Sequence, residues 1–211
     1  MAIKPILFNT EMVRAIMDGR KTCTRRVIKL PWEECPACKY VHNEYIYDKM
    51  AENVYCARCG CPLEPERRSP YQPGDILYVR ETWMDYAGLT MYKADCDIYR
   101  LDSLNFAGFG WKPSIHMPKE AARIWLKVTN VRVERLQDIT EDGAKAEGAI
   151  DNRGFIHSPE NEYDRIYTAR EHFIEIWDRT IKKSDLNIYG WDANPWIWVI
   201  EFERCEKPKE V

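Results

Sequence analysis

Residues 122–135 read ARIWLKVTNVRVER, and within them Ile124, Leu126 and Val128 alternate with Trp125, Lys127 and Thr129. A period of two sustained over so long a run predicts a strand with one core face, because successive side chains of a strand point to opposite sides of the sheet. Outward from it, Pro73-Gly74-Asp75 is a turn signal, and Ile76–Trp83 predicts a second strand with Leu77, Val79 and Glu81 on one face. That face would aim a carboxylate inward or at a rim. Trp196–Phe202 is apolar on both faces, as a central strand is, and Ile3–Phe8 predicts a short buried strand. Asn9-Thr10 offers an N-cap to a short helix whose face carries Val13, Ile16 and Met17, with Gly19 at its end.

The basic segment Arg20 to Lys29 reads as a loop entering a strand at Val27-Ile28, and 83–118 as a long loop or ragged hairpin around Met91-Tyr92-Lys93. Thr140–Glu147 predicts a short helix with acids in its first turn and Gly148 after its end. Ile166, Ala169, Phe173, Ile176, Trp177 and Ile181 recur at helical spacing, which predicts an amphipathic helix over 160–181. Strands and helices do not alternate regularly and no repeat is visible. The class expected is α+β, with a mixed sheet closing into a small barrel.

At 211 residues the chain suits one main domain, taken as 1–204, with an inserted module at 31–69 and a loose tail at 205–211. A net charge of −3 excludes a basic field over the whole molecule, so any contact with nucleic acid must be local. The start of the chain lacks the apolar run of a signal peptide, and no stretch is long and apolar enough to span a bilayer. The expectation is a cytoplasmic protein without membrane contact. A reducing compartment turns its eight cysteines toward metal ligation and burial rather than disulfides.

Cys35-x-x-Cys38 and Cys56-x-x-Cys59, seventeen residues apart, have the spacing of a four-thiolate zinc site. Four thiolates leave no open position, so the zinc is read as structural and no catalytic cofactor is expected. Cys61 either neighbours the site or replaces Cys59. Cys23, Cys96 and Cys205 read as small buried apolar residues.

Gly19-x-Lys21-x-x-Thr24-x-Arg26 places an amine, a hydroxyl and a guanidinium just after a helix ends. A solvated basic loop has the same composition. What raises the chemical reading is Glu81, a carboxylate able to orient the amine and complete a nucleophile, base and acid set.

With these residues the chain resembles the ASCH family of the PUA-like superfamily. Gly19, Lys21, Thr24 and Arg26 match its signature, and Pro73-Gly74-Asp75 with Tyr78–Trp83 matches its second strand. Trp111–Pro118 and Asn194–Val199 are similar to the larger, phage-associated members. The resemblance covers about half of the chain and leaves out the cysteine insertion and the region from Gly148 to Tyr189. It implies a small β-barrel with flanking helices and a cleft for RNA or a nucleoside. It also implies a hydrolase, most concretely one that cleaves the acetyl amide of N4-acetylcytidine with Lys21, Thr24 and Glu81. In one version Thr24 attacks and Lys21 is the base; in another water attacks, Glu81 is the base and Lys21 stabilises the oxyanion. Arg26, Trp111, Ser114 and His116 would contact the substrate. The alternatives are a non-catalytic module that binds RNA or a modified base, and a ribonuclease; protein partners are left open.

Overall fold

The computed structural model describes residues 1–28, 35, 37–39, 45–48, 53–61, 69–86, 88–96, 110–152 and 167–209. Ile166 and the start of the helix expected over 160–181 lie outside the described residues, as do Lys29 and much of 31–69.

The fold is mixed α+β around a five-stranded sheet ordered β1-β5-β8-β9-β2. Its strands are β1 (Ile3–Leu7), β2 (Cys23–Val27), β5 (Ile76–Arg80), β8 (Trp125–Arg135) and β9 (Trp196–Cys205). β1 and β5 run parallel, and the other neighbours are antiparallel. Two hairpins lie outside this sheet, β3 (Tyr45–Asp48) with β4 (Asn53–Cys56) and β6 (Trp83–Tyr86) with β7 (Leu89–Tyr92). The second is the ragged hairpin expected around Met91. The strand expected at Val27-Ile28 begins earlier, at Cys23, so the basic segment forms the strand itself and not its approach.

In β8, Leu126 and Val128 belong to the same buried cluster as Val131 and Val133, although the first pair is even and the second odd. The register against β9 slips between Val128 and Asn130, a bulge whose extra residue changes the phase and keeps apolar side chains on the core face. β9 is buried on both sides, as its sequence predicts. Trp198, Ile200 and Phe202 face one cluster, and Ile197 and Val199 face the other. β9 also runs to Cys205, where the tail was expected to begin.

Helix α1 (Thr10–Met17) covers the first face through Val13 and Ile16, with Asn9 Oδ1 capping Met12 N at 2.8 Å. Helices α2 (Glu141–Ala146) and α3 (Ala169–Thr180) cover the second. Thr168 and Glu171 start α3 with a capping box. Phe173 and Trp177 pack on Val199 and Ile197, so the apolar face of α3 is spent on the sheet. Burying each of those rings is worth roughly 1.5–3 kcal/mol. A short helix α4 (Leu186–Tyr189) follows, and Tyr189 O accepts from Trp177 Nε1 at 2.9 Å.

The expected closed barrel is not formed. β1 and β2 are the two edges of the sheet and share no ladder. Arg26 Nη2 donates to Leu7 O at 3.0 Å, bridging from one edge to the other through a side chain. α1 follows β1 and precedes β2 in the chain, and its Val13 and Ile16 belong to the core cluster with Ile6 and Phe8.

Candidate functional site

Four thiols, Cys35, Cys56, Cys59 and Cys61, have sulfurs within 4.8 Å of one another and can hold a metal ion. Cys38, expected as a ligand from the spacing, is not in this set and Cys61 stands in its place; Cys38 Sγ lies 3.7 Å from Cys56 Sγ, so five cysteines converge where the spacing selected four. A Zn–S bond near 2.3 Å sets the edge of a tetrahedron at about 3.8 Å. Cys35–Cys59 and Cys38–Cys56, both 3.7 Å, have that length. Cys61 stands closer, 3.1 Å from Cys35 and 2.9 Å from Cys59. Burial pushes the Cys35 thiol up, but the Cys38 N–H, the Cys61 thiol and the Ala37 N–H outweigh it and pull it down to about 5, toward the thiolate that a metal binds. Cys35 and Cys56 are themselves part of the buried cluster with Phe8, Ile28 and Trp198. The inserted module is thus rooted in the main core.

A second convergence of reactive groups among the described residues lies along the edge of β2. Thr24 and Arg26 project beside Ile200 and Trp198 on one face of the sheet, and Arg25 beside Val199 on the other. A cavity of about 160 Å³ wraps this edge, lined among others by Phe8, Lys21, Thr24, Arg26, Glu147 and Trp177. Lys21, Thr24, Arg25 and Glu147 are all buried.

Lys21 Nζ donates to Cys23 O at 2.8 Å, Glu147 O at 2.9 Å and Glu147 Oε2 at 2.5 Å. Three acceptors occupy the three donors of an ammonium. The other carboxylate oxygen, Oε1, accepts from Arg25 Nη1 at 3.3 Å. One buried carboxylate therefore faces two buried cations, an arrangement that a low-dielectric interior tolerates only with close pairing. Arg25 extends further to Glu134, 3.7 Å away, and its buried Nε has no partner among the described residues. Among the described residues no hydrogen bond is made to the Thr24 hydroxyl, which leaves it open to a bound group. Burial and the Glu147 charge push the neighbouring Cys23 thiol up to about 12, so it is a neutral filler and not a nucleophile.

The backbone explains how Glu147 arrives. Lys21 leaves α1 on a turn in which its N–H bonds Ala15 O at 2.9 Å, and Thr22 N donates to Ala146 O at 2.8 Å. Gly148 ends α2 at φ +93°, and a Cβ there would lie 2.8 Å from the Ala15 Cβ. Only a glycine gives the left-handed turn and the close approach of the two helix ends together.

The expected partner of Lys21, Glu81, is elsewhere. It is buried as its strand face predicts, but it accepts from Arg123 Nε at 2.9 Å and Arg123 Nη2 at 3.0 Å. Burial holds its carboxyl above the ordinary range, although Arg123 pulls it down. Arg123 also bonds Asp95 at 2.7 Å and stacks on Tyr92, so Glu81 anchors the segment after β7 to the end of β5. The role given to Glu81 as the orienter of Lys21 is corrected to Glu147.

Of the expected substrate contacts, Arg26 lines the cavity and crosses the Phe8 ring at 5.6 Å. Trp111, Ser114 and His116 do not line it. Their segment docks on Arg80, whose Nε donates to Met117 O at 2.8 Å and whose Nη2 donates to Ile115 O. Trp83 is core, packed with Ile76, Met117 and Trp125. Sequence reading passed over Glu147, which sits 126 residues from Lys21. Its trace is an acid at the C-terminal end of a helix, where the dipole disfavours negative charge unless a cation compensates.

Comparison of the chain with protein-family models, with curated proteins and with solved structures gives no match. Among the described residues no helix is long and apolar enough to cross a membrane.

Proposed function

We propose that the chain is a PUA-like protein of the ASCH type, with its barrel left open between β1 and β2, and that it hydrolyses an amide on a modified nucleoside. The observation that carries this reading is the meeting of Lys21, Thr24 and Glu147 in one cavity at the edge of β2. Lys21 and Thr24 stand in the signature segment, and Glu147 supplies the carboxylate that the chemistry requires. N4-Acetylcytidine is the most concrete substrate. The Glu147 carboxylate, held in place by Lys21 and Arg25, accepts the proton of Thr24 as the general base. Thr24 Oγ then attacks the acetyl carbonyl, the C–N bond breaks, and the proton returns to the leaving amine of cytidine. Water hydrolyses the acetyl-threonine ester, giving acetate and restoring the hydroxyl. Phe8 and Trp177 supply apolar walls for a base, and Arg26 a donor at the cavity mouth. The cysteine cluster, with zinc as its metal, braces the core beside β1 and β2 and takes no part in the reaction.

A second reading, a binder of RNA or of modified bases without turnover, is favoured by one observation. All three Lys21 donors are already engaged, as in a rigid recognition pocket. A chromatographic assay with N4-acetylcytidine separates the two, comparing wild type with Thr24→Val, Lys21→Met and Glu147→Gln. Cytidine and acetate in equal amounts from wild type, with a loss on the order of 10⁴-fold in Thr24→Val, is the expected result. Binding without product in wild type would overturn the hydrolase and leave the reader.

A further inference from the structure

A second cleft, of about 310 Å³, adjoins the reaction cavity, and Met12 and Ile176 line both. The charged groups on its walls are Arg14, Arg20, Arg179 and Glu11, an excess of cations on a chain whose net charge is −3. Arg14 is committed to the carbonyls of Ala94 at 2.9 Å and Cys96 at 2.6 Å. Arg20 and Arg179 are held more loosely. The Arg20 guanidinium bonds Gly148 O at 3.0 Å and the exposed Asp18 at 3.1 Å. Arg179, with a side chain 66 % exposed, reaches Glu175 at 3.4 Å, a surface pair that an incoming phosphate can displace.

The same cleft carries an aromatic platform. The Tyr167 and His172 rings lie 4.9 Å apart at 38°. His172 Nδ1 accepts from Ile150 N at 2.9 Å, which puts the proton of the neutral ring on Nε2 as a donor. Burial holds this imidazole below its ordinary pKa; Glu175 and Glu11 pull it up and Arg179 and Arg20 push it down, so the ring lies among both guanidinium groups and two carboxylates. Cationic groups beside a stacking platform, continuous with a pocket for one base, form the arrangement that binds single-stranded nucleic acid.

We propose that this cleft holds the strand flanking the base in the reaction cavity, so that the substrate is a modified nucleoside within single-stranded RNA rather than the free nucleoside. The inference rests on the reading of the cavity as a base pocket. Arg20 and Arg179 hold the phosphate next to the target, and Tyr167 with His172 stacks on the neighbouring base.

The test uses a short fluorescein-labelled RNA containing one N4-acetylcytidine, with binding read by anisotropy at several salt concentrations. Turnover of this RNA and of free N4-acetylcytidine is measured in parallel for wild type, Arg179→Glu and Arg20→Gln. The expected result is RNA affinity about tenfold weaker in Arg179→Glu, with a shallower salt dependence, and a smaller loss in Arg20→Gln. Turnover of RNA falls by the same factors, and turnover of the free nucleoside is unchanged in Arg179→Glu. Unaltered affinity and salt dependence in both variants, or wild type turning over RNA no better than free nucleoside, would overturn it. If wild type turns over neither substrate, the hydrolase reading fails, while the anisotropy series still decides whether the cleft binds RNA.

Discussion

Lys21 Nζ and Glu147 Oε2 stand 2.5 Å apart in the interior, at the meeting of the turn after α1 with the end of α2. Each side chain is almost wholly out of water, 1 % and 5 % exposed, so neither charge is tolerable without the other. Because Arg25 shares the carboxylate, the two partners are not equivalent.

Removing the carboxylate therefore costs more than removing the amine. Glu147→Ala leaves Lys21 and Arg25 as buried cations without a counter-charge and is expected to lower unfolding stability by about 3–5 kcal/mol. Lys21→Met leaves Glu147 with Arg25 and is expected to cost clearly less. Urea titration of the two variants checks the order; equal losses would show that Arg25 does not share the carboxylate.

Gly148→Ala is expected to destabilise the protein by about 2 kcal/mol or more, because the new methyl group meets Ala15 at a positive φ. Any activity should fall as well, since Glu147 moves with the turn. Thermal denaturation alongside the turnover assay reads both effects, and a neutral Gly148→Ala would rule out the tight approach of the helix ends.

Acid should loosen the start of the sheet through Asp75. Burial pushes its carboxyl up, but the Lys4 ammonium and the N–H groups of Ala2 and Gln72 outweigh this and hold it below the ordinary range. A folded pKa below the unfolded one adds stability that is present above about pH 3.9 and is lost as pH falls through the folded value. Asp75→Asn is expected to cost about 1–2 kcal/mol at pH 7, where Lys4 is partly exposed, and to flatten stability against pH below about 4. Denaturant midpoints at pH 3, 4, 5 and 7 give the comparison.

The cysteine cluster is expected to bind one zinc ion. Serine at Cys35, Cys56, Cys59 or Cys61 should abolish stoichiometric binding, because these four sulfurs lie within 4.8 Å of one another. Cys38→Ser should retain it. Elemental analysis of the purified variants decides. Loss of zinc in Cys38→Ser and its retention in Cys61→Ser would exchange the two ligands. Since Cys35 and Cys56 belong to the core, chelation should also lower the melting temperature.

Much of this architecture was legible in residue order because it is local. Alternation in 122–135 marked β8, Asn9 and Gly19 bounded α1, Thr140 and Gly148 bounded α2, and paired cysteines marked the metal cluster. Strand faces were legible too, and Leu77, Val79 and Glu81 are all buried. The bulge at Thr129 was not, because the phase of β8 changes only against β9.

What the chain order alone determined is which apolar faces turn to the core, where helices are capped and which cysteines gather, since these follow from periodicity and spacing within a few residues. Partner choice among buried charges was decided only by tertiary structure. Both Glu81 and Glu147 are buried acids, and each needed a cation. The fold gave Arg123 to one and Lys21 with Arg25 to the other, because electrostatic pairing depends on distance in space, and no period in the sequence encodes contacts 42 or 126 residues apart.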